Sequence, residues 1–581
     1  MYLRTTQRRN ADGSVVRYVQ LAHNRRVQGT TQAQVLLNLG RQDRLDPDGL
    51  RRLVASINRY LGEPDGDAAG AAGADVRELA GDGLSVTGSR PVGTVHLLDG
   101  LWRQLGVDGA LRQVLGVRRF TTDVERVLFA LVANRAVDPA SKLAAAEWVR
   151  EDVVVPGLAG MDEDQAYRAM DLLVEADAQA GVQEAVFFAV ADLLNLEVDL
   201  LFFDTTSTYF ERDTEEAPSE ASPAGGLRRY GHSKDSRPDL PQIVIGLAVT
   251  REGIPVRCWV WPGNTADVAV LPEVKDGLRG WRLGRVVTVV DRGFSSQSNL
   301  DYLRRAGGHW IAGERMRDGN PAAQAALSRP GRYRQVRDNL RVKEVRLDDS
   351  ATSDGVGVRW VVCHNPVEAD RDKTRRAEAL ARLAVELDRI ATARARDAQR
   401  RKDGTKTGGD SVHVRAECAL RDHPTLGRWL RQQASGRLVL DRAKIAAEQR
   451  LDGKYLLSTS DPDLSAEDVA LGYKNLLEAE RGFRDLKSTL ELRPVFHRVE
   501  PRIRAHVLLC WLALLLIRVA ERRTGRSWRR IALELGRVHA VTLTGTAGSV
   551  TQTTPLTDVQ TSILRACEVT PPPAVTTLNP T

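Results

Sequence analysis

The sequence predicts a multidomain α/β protein, and three observations carry that expectation. Apolar residues recur at helical spacing up to Asn195 and at strand spacing after it, two apolar strands each end in an aspartate, and a late amphipathic helix sets a glutamate in a polar stripe. The expected architecture is an α/β catalytic core carrying an inserted α+β domain, preceded by a helical domain and a small α+β N-terminal domain.

Residues 1–70 read as the small α+β domain. Two β-prone pieces, VVRYVQLAH and QVLLNLG, precede a helical stretch from Gly49 to Leu61, and the Gly and Ala run from Glu63 to Asp75 reads as a linker. Residues 71–195 read as helical, with apolar residues three and four apart in LLDGLWRQL, VERVLFALVANRAV and YRAMDLLVEA. Asp138 before Pro139 predicts a helix ending near Asn134 and another starting at Pro139.

Residues 196–314 read as the first part of the catalytic core. The stretch VDLLFFDTTSTYF is a strand, QIVIGLAVT and IPVRCWVWP form a hairpin, and RVVTVVD and HWIAGE follow, each after a helix. Three strands, helix, strand, helix, strand is the ribonuclease-H-like order. Residues 331–364 alternate like antiparallel strands and a long charged helix runs from Glu368 to Arg401, so residues 315–450 are expected to form a β-containing insertion. Residues 451–542 return to the core with the late amphipathic helix and C-terminal helices. The Thr- and Pro-rich residues 543–581 are expected to be partly disordered apart from a helix near 557–566.

Composition narrows the classes. With 83 Lys and Arg against 76 acidic residues, the 581-residue chain carries +7, which mildly favours a polyanionic partner. The five cysteines are odd in number and scattered, with no CxxC pair for zinc or redox work, so a reducing compartment fits. Polar, basic sequence follows Met1, so no signal peptide is expected. The longest apolar run, Val507 to Ile517, is shorter than the roughly 20 residues that span a bilayer, and a buried helix in a cytoplasmic protein without a membrane partner is expected.

The chemistry rests on three acids. Asp204 ends a strand in which Leu200, Phe202 and Asp204 share one face, a costly place for a carboxylate without a cation. Asp291 ends RVVTVVD two residues before Gly293. In YKNLLEAERGFRDLK, about 100° per residue puts Tyr473, Arg484 and Lys487 on a stripe with Glu480, with Leu476, Ala479, Phe483, Leu486 and Leu490 about 80° to one side. Glu478 falls about 160° from Glu480. Taken singly, each acid also fits a plain structural role: a capped turn at Asp204 or Asp291, or a surface pair between Glu480 and Arg484.

At these residues the chain resembles the Asp-Asp-Glu transposases of bacterial insertion sequences, in the group with a β-containing insertion before the glutamate. That group reads Y, two residues, R, three residues, E, six residues, K around its third acid. Tyr473, Glu480 and Lys487 match, whereas Leu476 stands in place of the arginine. FFDTTSTYF, YGHSKDSRPDLPQIVIGLAV, WPGNTAD and VVDRGF are also similar to that family.

The resemblance implies a ribonuclease-H-like core in which Asp204, Asp291 and Glu480 bind two Mg²⁺ ions, with Mn²⁺ able to substitute. It implies double-stranded DNA as partner, both terminal inverted repeats and target, a homodimer on paired ends, and a place in the bacterial cytoplasm at the nucleoid. Residues 71–195, whose helical segments precede the catalytic strands, are expected to bind the DNA ends. Tyr473, Arg484, Lys487 and Arg292 are the expected DNA contacts. Two alternatives stay open: a stand-alone metal-dependent nuclease of the same fold, and an inactive DNA-binding derivative.

Overall fold

At the N-terminus, β1 (Tyr2–Arg9), β2 (Val15–Val27) and β3 (Thr30–Arg41) pair as an antiparallel meander. The structure, a computed structural model, describes residues 2–9, 15–27, 30–41, 45, 84–116, 123–194, 196, 199–212, 214–217, 225–281, 283, 286–305, 308–317, 319–347, 357–405, 412–545 and 548–580. The helical stretch and linker expected between Gly49 and Asp75 lie outside the described residues.

After β4 (Ser85–Pro91) comes a helical block: α1 (Gly93–Gln104), α2 (Val107–Leu115), α3 (Val124–Val137), α4 (Lys142–Glu147), α5 (Glu163–Ala180) and α6 (Val182–Leu194). The boundary expected at Asp138 and Pro139 shifts. Asp138 is the C-cap of α3, kept extended by the proline after it, and Ser141 caps α4 by accepting from the Ala144 amide. Within α3, Arg126 is buried and donates to Glu125 and to Asp99, while Glu125 also accepts from Trp102 and Arg112.

A second buried basic group, Lys142, opens α4. Burial, with Arg135 close by, lowers its ammonium to about 7 from the usual 10.5. The unfolded chain therefore binds a proton that the native state gives up between those values, a cost that is complete below pH 7 and fades as pH rises to 10.5. Lys142→Met is expected to raise the melting temperature at pH 6 to 7 by several degrees, with the gain vanishing near pH 10.5 in a calorimetric pH series.

The core sheet begins with β5 (Leu200–Tyr209), β6 (Gln242–Thr250) and β7 (Pro255–Pro262), antiparallel neighbours. Then come α7 (Asp267–Leu278), β8 (Val287–Val290), α8 (Gln297–Arg304) and β9 (His309–Glu314), with β8 parallel to both β5 and β9. Helices α7 and α8 bury Val270, Leu271, Leu300 and Leu303 against Leu201, Phe203, Val244, Trp259 and Trp261. The two tryptophans are core residues, their rings stacked 6.2 Å apart.

The chain continues through α9 (Pro321–Ser328), β10 (Arg334–Arg337), β11 (Leu340–Arg346) and β12 (Arg359–His364), then the helix α10 (Pro366–Lys402), α11 (Val412–Arg421), the hairpin β13 (Leu430–Gln432) and β14 (Leu438–Leu440), α12 (Arg442–Gln449) and β15 (Lys454–Thr459). The expected insertion of residues 315–450 divides here. Strands β10, β11 and β12 join the core sheet, whose order is β10-β11-β12-β15-β9-β8-β5-β6-β7. Only the excursion from α10 to α12 stands apart, with its own core of Ala379, Leu383, Ile390, Leu420, Trp429, Leu430 and Leu438. The excursion starts and ends at paired residues, His364 opposite Lys454, and the Asn365 amide donates to the Gly453 carbonyl at 2.7 Å.

The last elements are α13 (Ala466–Lys474), α14 (Leu477–Ser488), α15 (Glu500–Thr524), α16 (Trp528–Leu535), β16 (His539–Gly545), β17 (Gly548–Thr553), α17 (Asp558–Ala566) and β18 (Val575–Pro580). Helix α15 is longer than its apolar run suggested and is long and apolar enough to cross a membrane. It packs instead against α3 and α5, and 94% of its most apolar window is buried. The tail expected to be partly disordered forms a sheet of order β18-β17-β16-β4. Its threonines are good strand formers, and Thr542 and Thr551 bond across the ladder at 3.1 Å.

The chain forms two compact units. One comprises Met1–Pro91, Val538–Leu556 and Pro572–Thr581, the other Val92–Arg537 and Thr557–Pro571. The boundary expected at residue 195 falls inside the second unit, because α3 and α5 pack on α15. A fragment of residues 1–195 would cut that unit through its core.

Candidate active site

Strand β5 is buried along most of its length, with apolar side chains from Leu200 to Phe203 and polar ones from Asp204 on. Its parallel pairing with β8 ends at Phe203 opposite Val290. Asp204 is the next residue of β5, and Asp291 directly follows the last residue of β8. They therefore leave neighbouring strands side by side, at the point where the free edge of β5 begins.

The surroundings of Asp204 favour a cation. Burial pushes its carboxyl up to about 6 from 3.8, against the opposing charge of Lys234 and a 2.7 Å hydrogen bond from the Thr205 amide, and Asp291 and Asp267 add to the rise. Asp291 accepts from the Tyr473 hydroxyl at 2.7 Å, and the Arg292 guanidinium is 3.9 Å from it. Tyr473 reaches Asp291 across Gly313 of β9. A Cβ at Gly313 would sit 2.3 Å from the tyrosine oxygen, so only glycine permits the approach. Burial raises the Tyr473 phenol, and the Asp291 and Glu480 carboxylates raise it further.

The helix read as continuous from Tyr473 to Lys487 is broken. Helix α13 stops at Lys474 and α14 starts at Leu477, so the polar stripe is built from two helices, with Tyr473 on the first and Glu480, Arg484 and Lys487 on the second. The apolar side of α14 is as expected, with Ala479, Phe483 and Leu486 buried. Glu480 and Arg484 are exposed. Glu478 points elsewhere: its carboxylate lies against Gly253 in the turn between β6 and β7, with Arg481 3.9 Å away. Lys487 does not project into solvent. Its ammonium is bound at 2.7 Å by Asp235, which also holds Arg493.

Four residues here had no role in the sequence reading: Thr205, Lys234, Asp235 and Asp267. Lys234 donates to the carbonyl and hydroxyl of Thr205 at 2.9 and 2.7 Å and pairs with Asp267 at 3.0 Å. The Thr205 hydroxyl donates to Asp267 at 2.5 Å. The available signal was the adjacent opposite charges of Lys234 and Asp235 in YGHSKD, one serving β5 and the other α14. Among the described residues, no three His, Cys, Asp or Glu side chains are already grouped as a metal cluster.

Comparison with known proteins bears on this arrangement. No curated protein matches the chain. Among solved structures, one described as a cryo-EM structure of a piggyBac transposase synaptic complex with hairpin DNA is similar at 10% identity, covering 76% of each chain, with a TM-score of 0.33, too slight a likeness to carry an argument. Two family matches are informative: residues 3–70 match the IS1634 family transposase N-terminal domain, and residues 204–516 match the transposase DDE domain. The second match starts at Asp204 and spans more than half of the chain, so the protein belongs to the DDE transposases of bacterial insertion sequences and is a DNA transposase.

Proposed function

We propose that this transposase cleaves phosphodiester bonds at the ends of its element and joins the freed 3′-hydroxyls to target DNA, using divalent ions held by Asp204, Asp291 and Glu480. The observation that carries this reading is the placement of Asp204 and Asp291 directly after the last paired residues of β5 and β8. The strand order β7-β6-β5-β8-β9, with β5, β8 and β9 parallel, supports a ribonuclease-H-like core.

The donor set fits the metal. All three groups are hard oxygen ligands, as Mg²⁺ and Mn²⁺ prefer, and the half-buried Asp204 has two further carboxylates near it, Asp291 and Asp267. When bound, two such ions would supply an activated water and a stabilised leaving oxygen. The chain's own residues do the rest. Tyr473 fixes the rotamer of Asp291 through its hydroxyl. Asp235 ties Lys487 and Arg493 to the loop beside β5, which fixes the pitch of α14 and so the reach of Glu480. Arg292 and the exposed Arg484 neutralise phosphate at the rim. Tyr473 is thus a positioning residue, and Lys487 acts on DNA through the field it adds, since its ammonium is already bound.

Two copies on paired ends would bring the two 3′-hydroxyls to one target. The test concerns the third acid. Glu480→Gln is expected to lose cleavage and strand transfer of end DNA by at least about a hundredfold, in keeping with the several kcal/mol a bound cation contributes, while Glu478→Gln keeps most activity. Gel assays of labelled ends measure both. The reverse ranking would reassign the third ligand to Glu478 and rotate the whole reading of α14.

A further inference from the structure

Beyond Phe203 the edge of β5 has lost its strand neighbour, and its backbone needs another partner. The loop after Tyr230 supplies one. The Lys234 amide donates to the Ser207 hydroxyl at 2.7 Å, and its ammonium turns back to the Thr205 carbonyl at 2.9 Å. The same ammonium reaches the Thr205 hydroxyl and Asp267, with Asp204 next to it along the strand. Asp267 opens α7 on one side of this gap, and its Oδ2 is 3.9 Å from where a Cβ of Gly293 would stand, two residues past Asp291.

We propose that Lys234 is a built-in counter-cation of the acidic centre: with no divalent ion present, its ammonium, anchored by Asp267 and Thr205, occupies the gap between the ends of β5 and β8 and gives way when a divalent ion enters. This rests on the reading of Asp204 and Asp291 as metal ligands. The physical reason is charge. Three carboxylates, Asp204, Asp267 and Asp291, lie around one gap, and like charges gathered so closely repel one another unless a positive charge stands among them. Lys234 supplies it: the ammonium pairs with Asp267 at 3.0 Å and donates at 2.7 Å to the hydroxyl of Thr205, the residue after Asp204. A lysine suits the task because its flexible stem and compact ammonium can withdraw without moving the backbone, whereas a planar guanidinium would be harder to displace.

The consequence is competition. A divalent ion entering the gap must displace one positive charge, so the DNA-free protein binds metal more weakly than its carboxylates alone would. Once withdrawn, the ammonium lies within reach of a phosphate bound at the same centre.

The test titrates Mn²⁺ into the full-length, DNA-free protein and reads the unbound ion by electron paramagnetic resonance. Lys234→Met is expected to bind Mn²⁺ about tenfold more tightly than the wild type, a modest share of the repulsion between like charges at this range. Lys234→Arg is expected to bind no more tightly than the wild type. Adding Asp204→Asn to Lys234→Met should remove the gain, which locates it at this centre. Lys234→Gln, which keeps hydrogen-bonding capacity at the gap, serves in place of the methionine variant if the latter does not fold. Unchanged or weaker Mn²⁺ binding in the neutral variants, with binding still dependent on Asp204, would overturn the counter-cation and leave the metal-ligand reading standing. Absence of any Asp204-dependent Mn²⁺ binding, in the wild type and in every variant, would overturn the metal-ligand reading and this inference with it.

Discussion

Asp204→Asn is expected to reduce end cleavage roughly a thousandfold or more, because a cation clamp contributes several kcal/mol to the transition state. Asp291→Asn is expected to do the same. DNA binding, followed by mobility shift, should stay within several-fold, since phosphate contacts come from many basic residues and not from these acids. Stability should separate from activity in the same experiment. The Asp204 carboxyl is raised to about 6 from 3.8, so the penalty of keeping it ionised is absent below 3.8 and complete once pH has risen through 6. Asparagine removes that penalty. The variant should therefore melt no lower than the wild type at pH 7.5 and show no advantage at pH 4. Full cleavage by either asparagine variant would remove both aspartates from the catalytic assignment, and a lower melting temperature at pH 7.5 would show that Asp204 is structural.

The largest effect on folding is expected at Arg126. Its guanidinium is buried, bonds Glu125 at 2.9 and 2.5 Å and Asp99 at 2.5 Å, and also reaches the Pro156 carbonyl at 3.3 Å. Arg126→Met would leave two carboxylates in the helical core with Arg112, Arg103 and Trp102 as remaining partners, and breaking a buried pair in this way costs about 3–5 kcal/mol. The pH dependence follows from Glu125. Burial alone would raise its carboxyl, but the hydrogen bonds from Arg126, Arg112 and Trp102 outweigh that and hold it below 4.5. Its stabilisation is present above 4.5 and is lost as pH falls through the lowered native value, so the loss in Arg126→Met should shrink in acid. Urea unfolding at pH 7 and pH 4 measures the difference. Equal losses at both values would mean that Arg126 acts through packing over Phe129, 4.8 Å from its guanidinium carbon, and not through charge.

The strands around the acids were legible because their period and apolar content leave few alternatives: β5 to β9 fall where VDLLFFDTTSTYF, QIVIGLAVT, IPVRCWVWP, RVVTVVD and HWIAGE place them. The sequence could not show that β10, β11, β12 and β15 extend the same sheet, since pairing partners are chosen by tertiary packing and not by local pattern. The break between α13 and α14 was hidden for a similar reason. Asn475 and Leu476 interrupt the helix without a glycine or proline, and the 100° spacing passes through them unaltered. Lys234, Asp235 and Asp267 stand in the quoted segments YGHSKDSRPDLPQIVIGLAV and WPGNTAD, but what each does is set by a partner distant in sequence, which local pattern does not show. Lys487 shows the converse: it lies on the same helix as Glu480, as the spacing predicts, yet its charge is taken up by Asp235, 252 residues away.

The pairing of His364 with Lys454 makes the whole excursion from α10 to α12, in topological terms, the loop of a β-hairpin. The entropy of closing a loop grows only with the logarithm of its length, so the ladder between β12 and β15 is scarcely weakened by what it encloses. The enclosed residues have their own apolar centre around Leu383 and Trp429 and meet the rest of the chain at two adjacent attachment points and through the ion pairs of Arg317 with Glu448 and Arg376 with Asp452. Such a segment can be lengthened, exchanged or reduced to a tight turn without a change of strand register, which leaves the spacing of Asp204 and Asp291 indifferent to the history of this part of the chain.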